Sequence, residues 1–573
     1  MRQARVVSLL TLVAAVAAGC AAPRATERSS TGEALSAAPN RPLVVITHVE
    51  PVSLAIRGFA PAGGASYPHL ILNATFDDID ESGTVYPVLA EALPQLGTDT
   101  WRVSPDGSME TIHHIRAGAV WHDGTPLQAS DFVFSWQVYA NPASGSATTT
   151  PLGQMREVVA PDPRTVMIRW KVPYPDAGAL FSRTQSGFGA LPRHLLEEAY
   201  AQGNYDSFAN HPFWTTGYVG LGPYRLEHWE PGVEIDGVAF DQFVLGRPKI
   251  DRIRILHMTD SAAALATLLS GDAHIALDYM LQYPDGAVLK DQWAANKGGT
   301  VLFSPVLYWC AVFQFREDQI SPPAVRDVRF RRALVYGMDK QGLNDALFGG
   351  TAAVTYGQLS PRAPYYASIE PSITKYVFDP RKAQQLIEEV GLQKGADGFY
   401  VGPDRQPVSL EVIGRQNPTW ESENAIVVEG YRRIGLNAEG RILAATLANQ
   451  GETRATFKAL QLTGSSGFER GMGRMASSAI SRPETRWQGS NYGGWSNSEY
   501  DRLWDLYNAT LDASAGIKLL ADMEKLQSEE VPQIPMYYQP IVTPFVTGLV
   551  GPKLRDAGGA DTLTRIWEWH WAS

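Results

Sequence analysis

From residue 43 onward, apolar residues recur at two spacings. Short apolar or alternating runs predict strands at Leu43 to Thr47, Thr111 to Arg116, Thr165 to Trp170, Val306 to Phe313 and Leu410 to Ile413, with another after the turn Gly222-Pro223. Longer stretches carry the helical period. They predict helices at Ser261 to Ser270 (stopped by Gly271), Val328 to Leu347 (stopped by Gly349-Gly350), Pro380 to Val390 (stopped by Gly391), around Asn424 to Ile434, Tyr500 to Tyr507 and Ile517 to Glu529. Ser130 is placed to cap a helix starting near Asp131, and Pro192 to start another. The turns Ala117-Gly118 and His122-Asp123-Gly124-Thr125-Pro126 flank this region. Strands and helices alternate without an internal repeat, so an α/β protein built on open sheets is expected.

The first twenty residues, MRQARVVSLLTLVAAVAAGC, break the pattern. Arg2 and Arg5 precede an uncharged run, Val6 to Ala18, that is too short to span a bilayer comfortably, as in a secretory signal. The ending Ala17-Ala18-Gly19-Cys20 is similar to the lipobox of bacterial lipoproteins, with Ala17 where Leu is usual. That likeness implies cleavage before Cys20 and a lipid on its sulfur; an ordinary signal cut nearby is the alternative. Residues 21–41 are rich in Ala, Ser, Thr and Pro and read as a flexible tether. No later segment has eighteen consecutive apolar residues.

The 573 residues suggest several domains or lobes, and 44% hydrophobic content supplies a core. The net charge is −11, or −13 without the signal's two arginines, with no basic block, which argues against nucleic-acid binding. Two cysteines exclude a disulfide framework; with Cys20 lipidated, Cys310 is expected as a small buried residue. His113, His114, His122 and Asp123 lie close together, but adjacent strand residues face opposite ways and no metal site is expected. Asp77-Asp78 reads as a solvated acidic pair. Nucleophile-elbow, zincin and phosphate-loop motifs are all missing, and no cofactor or catalytic group is assigned.

An ordered set of segments resembles the family 5 extracellular solute-binding proteins, the receptors of oligopeptide, dipeptide and nickel ABC importers. The most telling is Ile115 to Ser135, with its Arg-x-Gly turn, His-Asp-Gly turn and Ala-x-Asp helix start. Pro87 to Glu91 lies upstream of it, and Leu221 to Tyr224, Arg326 to Leu334, Met338 to Lys340, Phe378 to Ala383 and Asn491 to Asn497 follow, all in the family's order. The resemblance implies a type II periplasmic-binding-protein-like α/β fold: two lobes joined by hinge crossings, with an extra inserted domain. By analogy, lobe I holds residues 42–85, 216–300 and 535–573, the inserted domain 86–215, and lobe III 301–534, after a signal at 1–19 and a tether at 20–41.

The implied role is a monomeric, lipid-anchored receptor, exported to face the periplasm or cell exterior, that delivers a peptide or small solute to an ABC permease. An exported enzyme or a sensor of the same fold are the rivals. In the family the stretch holding Tyr308 and Trp309 faces the cleft, and only one of two adjacent strand residues is expected to reach ligand. Trp495 is the other aromatic candidate. Peptide-binding relatives carry an Asp in the loop matching Leu460 to Arg470, where this chain has none. Glu469 is the available acid, with Arg470 beside it as a neutralising charge. Gln461, Thr463, Ser465 and Ser466 offer neutral donors and acceptors, suited to a peptide with relaxed need for a free N-terminus, or to an oligosaccharide.

Overall fold

The computed structural model describes residues 41–573, apart from Val52, 57–70, 145, 146, 148, 149, 181–186, Asp278, Asn449, Ser466, Arg486, Gln488, 556–561 and Ser573. The expected signal at 1–19, Cys20 and most of the expected tether lie outside the described residues. Arg41, the last tether residue by sequence, is already held: its guanidinium lies 4.2 Å from the Trp571 ring centroid, and its carbonyl accepts from Trp571 Nε1 at 3.1 Å.

An eleven-stranded mixed sheet organises the chain. Its spatial order is Asn437–Leu443, Ser409–Arg415, Leu460–Ser465, Gly299–Phe313, Gln533–Val546, Ile275–Ala276, Leu43–Thr47, Arg252–His257, Glu234–Ala239 and Tyr224–Glu230, with Ala353–Val354 paired to Gln533–Val546 off this path. A separate four-stranded antiparallel sheet holds Trp101–Val103, Met109–His114, Thr165–Trp170 and Met155–Asp162. Residues expected in lobe I and lobe III thus share one sheet, joined by two long antiparallel strands, Gly299–Phe313 and Gln533–Val546. Pro305 sits opposite Pro540, and the register shifts between Pro305 and Leu307 and again between Trp309 and Cys310. Proline has no N–H to give the ladder, so pairing is weakest in the middle of this crossing.

Most predicted elements appear with shifted ends. Met109–His114 starts and ends two residues early; Ser409–Arg415, Pro418–Arg433, Ser498–Ala509 and Ala513–Glu530 run longer than expected. The strand expected at Val306 to Phe313 begins at Gly299. The single helix expected over Val328 to Leu347 is two, Val328–Tyr336 and Lys340–Phe348, because Asp339 caps the second by accepting from Gly342 N at 2.8 Å. Gln128, rather than Ser130, is the cap residue of helix Ala129–Ala140, and its N–H donates to Asp131 Oδ2 at 3.0 Å. Gly118 and Gly124 hold φ of +79° and +87°, which suits residues without Cβ.

Asp77-Asp78 is not a solvated pair. Asp77 is fully buried, and Asp78 accepts from Tyr86 Oη at 2.9 Å and Ile79 N at 2.7 Å. Burial pushes the Asp78 carboxyl up to about 7. The histidines are dispersed. His113 is buried against the Phe76 ring at 4.4 Å, whereas His122 bridges Gly222 O at 3.0 Å and Gly220 N at 3.1 Å. His122 therefore ties the His-Asp-Gly turn to the Gly222-Pro223 turn. Among the described residues, no cluster of three potential ligands could hold a metal ion, and no helix is long and apolar enough to cross a membrane.

Candidate functional site

The strand register decides which candidate residues can meet. Tyr308 pairs with Ser465 on one side and Tyr538 on the other; Cys310 pairs with Thr463 and Val312 with Gln461. Directly paired residues share a face, so Tyr308, Gln461, Thr463, Ser465 and Tyr538 lie on one side of the sheet. Ile413 joins them beside Gln461, and Arg415, two residues on at the end of its strand, points the same way. The strands Ser409–Arg415 and Leu460–Ser465 are parallel. Their carboxyl ends are where open α/β sheets present ligand-binding loops.

Trp309 leaves the opposite face. It is buried, stacks on Trp420 at 5.0 Å, and donates from Nε1 to Glu423 Oε2 at 2.8 Å. Tyr537 donates to the other oxygen of Glu423. Burial pushes the Glu423 carboxyl up to about 7, while these donors pull it down. Trp495 is also packed inward, edge-on to Tyr500 at 5.2 Å within a cluster that includes Met472, Met475 and Leu520. Of the aromatic candidates, only Tyr308 lies on the face with Thr463 and Ser465; it too is buried, as are Gln461 and Thr463, and it packs with Val312, Ile413 and Phe457. Ser466 is outside the described residues.

The loop after Leu460–Ser465 is anchored from below. Tyr538 Oη reaches Gly467 O at 3.1 Å and also Gln358 O. A Cβ at Gly467 would come within 2.1 Å of that hydroxyl, so only glycine fits here. The short helix Glu469–Met475 then sends consecutive side chains apart. Glu469 accepts from the Tyr365 hydroxyl. Arg470 does not neutralise Glu469; it pairs with Asp176, a residue of the segment 86–215, and donates to Asn508 Oδ1. Its guanidinium lies 5.7 Å from the Tyr174 ring and 5.2 Å from the Tyr507 ring. This pair links two distant stretches of sequence across the molecule, with both side chains largely shielded.

Three further residues on this side escaped the sequence reading. Arg474 is buried, with Nη1 3.9 Å from Cys310 Sγ. Arg454 lies 3.8 Å over the Tyr492 ring. Arg415 ends its strand beside them. The Nε of each is buried without a hydrogen-bond partner among the described residues. Cys310 is buried as expected and accordingly protonated, since burial raises its thiol.

The model for bacterial extracellular solute-binding proteins, family 5 Middle, matches residues 91–476, more than half of the chain. The Dipeptide-binding protein of Escherichia coli K12 is 23% identical over 79% of this chain and 82% of its own length. Putative ABC transporter peptide-binding proteins of Brucella are 25% identical; the matched part is 52% of this chain and only about half, 51%, of theirs. Among solved structures, NikZ of Campylobacter jejuni, in complex with Ni(L-His), superimposes with a TM-score of 0.75 at 22% identity over 93% of this chain and all of that one. Oligopeptide-binding AppA of Bacillus subtilis, holding a nonapeptide, gives 0.70 at 21% over 93% and 99%. These likenesses show the type II periplasmic-binding-protein fold expected from the sequence. The family is one of receptors for solutes, not enzymes. The chain belongs to the family 5 bacterial extracellular solute-binding proteins.

Proposed function

We propose that this chain is the solute receptor of an ABC importer, taking up a peptide or similar oligomeric solute between its lobes and passing it to the permease. The observation that carries this reading is the crossing. Two long strands join both halves of one sheet and lose regular pairing near Pro305 and Pro540. Polar residues gather on one face at the parallel strands' carboxyl ends. Such a crossing is a hinge, and the Arg470–Asp176 pair is the contact by which the segment 86–215 meets the stretch after Ser465 in a closed arrangement. On this reading residues 42–85, 216–300 and 535–573 act as lobe I, 86–215 as the inserted domain and 301–534 as lobe III.

Tyr308, Gln461, Thr463 and Ser465 are the proposed ligand-facing residues, and Ser466 follows in the same loop. Glu469 is the acid nearest in sequence, but it already accepts from Tyr365. A peptide ammonium therefore has no dedicated carboxylate here, consistent with a solute whose N-terminus is not needed. Calorimetric titration with a tripeptide and its N-acetyl twin tests this. Comparable affinities support it. Loss of binding on acetylation would mean an acidic anchor exists, and Glu469→Gln should then reproduce that loss. The sequence around Cys20 supports a lipid anchor facing the periplasm or cell exterior.

A further inference from the structure

Arg415, Arg454 and Arg474 come from a strand end, the helix Gly451–Ala455 and the helix Glu469–Met475. They converge beside Tyr492 on the face that carries Tyr308 and Thr463. None of the three takes part in an ion pair among the described residues. Buried carboxyl groups of the same lobe are committed elsewhere: Glu423 to Trp309 and Tyr537, Glu524 to Leu359 N at 2.6 Å. Tyr492 gives Arg454 a ring face and a hydroxyl rather than a carboxylate.

Clustered cations without acids are costly, and the structure registers this. Burial first, then Arg415 and Arg474, push the Arg454 guanidinium down to about 10 against the pull of Tyr492. Burial likewise lowers Arg415. A folded chain keeps such a cluster when something else supplies the anion. Arg474 is 94% buried yet presents an unpartnered Nε, and Arg415 and Arg454 are only partly buried, so the group is reachable from solution. A guanidinium fork pairs best with a planar or tetrahedral oxyanion.

We infer that Arg415, Arg454 and Arg474 form the anion-binding end of the site and that the solute carries at least two acidic groups there, carboxylate or phosphate. This rests on the receptor reading and narrows its ligand: a peptide would enter with an acidic end, and a neutral oligosaccharide would not suit.

The test is calorimetric titration of the full chain with tricarballylate, with inorganic phosphate and with an uncharged N-acetyl tripeptide amide, alongside Arg454→Gln and Arg474→Gln. Tricarballylate binding without phosphate binding would assign a carboxylate solute, and the reverse a phosphorylated one. Either variant should weaken the anion by on the order of 30-fold or more. The unliganded variants should melt no lower than the parent, because an unpaired charge has been removed. Three results would overturn the inference: neither anion binds, the variants bind anions as well as the parent, or unliganded Arg454→Gln melts far lower. Tight binding of the uncharged peptide, unchanged in both variants, would refute the anion site yet leave the receptor reading standing. No binding by any probe or by a mixture of peptides would count against both.

Discussion

Glu423 is buried with two donors, Trp309 and Tyr537, and its carboxyl is raised from 4.5 to about 7. The folded state therefore holds the proton more tightly than the unfolded chain does. The stability this confers is full below about pH 4.5 and is lost as pH rises through 7. Glu423→Gln removes that dependence. The stability difference between parent and variant should shift by roughly 2–3 kcal/mol against the parent between pH 4 and pH 8; urea unfolding at both pH values checks it. Trp309→Ala should cost about 3–5 kcal/mol while leaving solute affinity little changed, because the ring packs on Trp420 away from Tyr308. Tyr308 is itself fully buried in a cluster with Val312, Ile413 and Phe457, so Tyr308→Phe, which keeps the ring and removes only the hydroxyl, should weaken binding with little change in melting temperature. At this scale the sequence singled out the strand that holds Tyr308 and Trp309, and alternation placed the two on opposite faces. It did not expose Arg415, Arg454 and Arg474, because they are far apart in the chain and meet only once three elements are packed.

Helices were legible where a cap coincides with the hydrophobic period, as at Gly271 and before Gly391. The period alone ran Val328–Tyr336 and Lys340–Phe348 together, since both bury faces in the same core and the break spans only Gly337 to Asp339. Replacing Asp339 with Ala removes the acceptor for Gly342 N and should destabilise the protein by about 1 kcal/mol, read from urea unfolding. The crossing strands were harder to see. Pro305, Pro535 and Pro540 interrupt what would otherwise read as strand, and they sit at register shifts that only the paired strands reveal.

The family resemblance made the molecule's architecture legible: ordered short motifs across the chain sufficed where single ones would not. What they left open is how the parts meet, which depends on side chains such as Arg470 and Asp176 that no motif marks. If that pair holds the closed form, Asp176→Asn should weaken solute affinity and shift the scattering radius of the loaded protein toward that of the empty one. Cys20→Ser should move the protein from membranes to the soluble fraction, because the lipid is the proposed anchor. The central claim, that the chain captures a solute and releases it unchanged, is tested most directly by native mass spectrometry of the folded protein from its own cell envelope, repeated after titration with a peptide mixture. The account predicts a one-to-one complex with a discrete small solute that is recovered chemically intact after incubation. A bare protein mass under both conditions, or a bound molecule that is steadily converted to products, would contradict it.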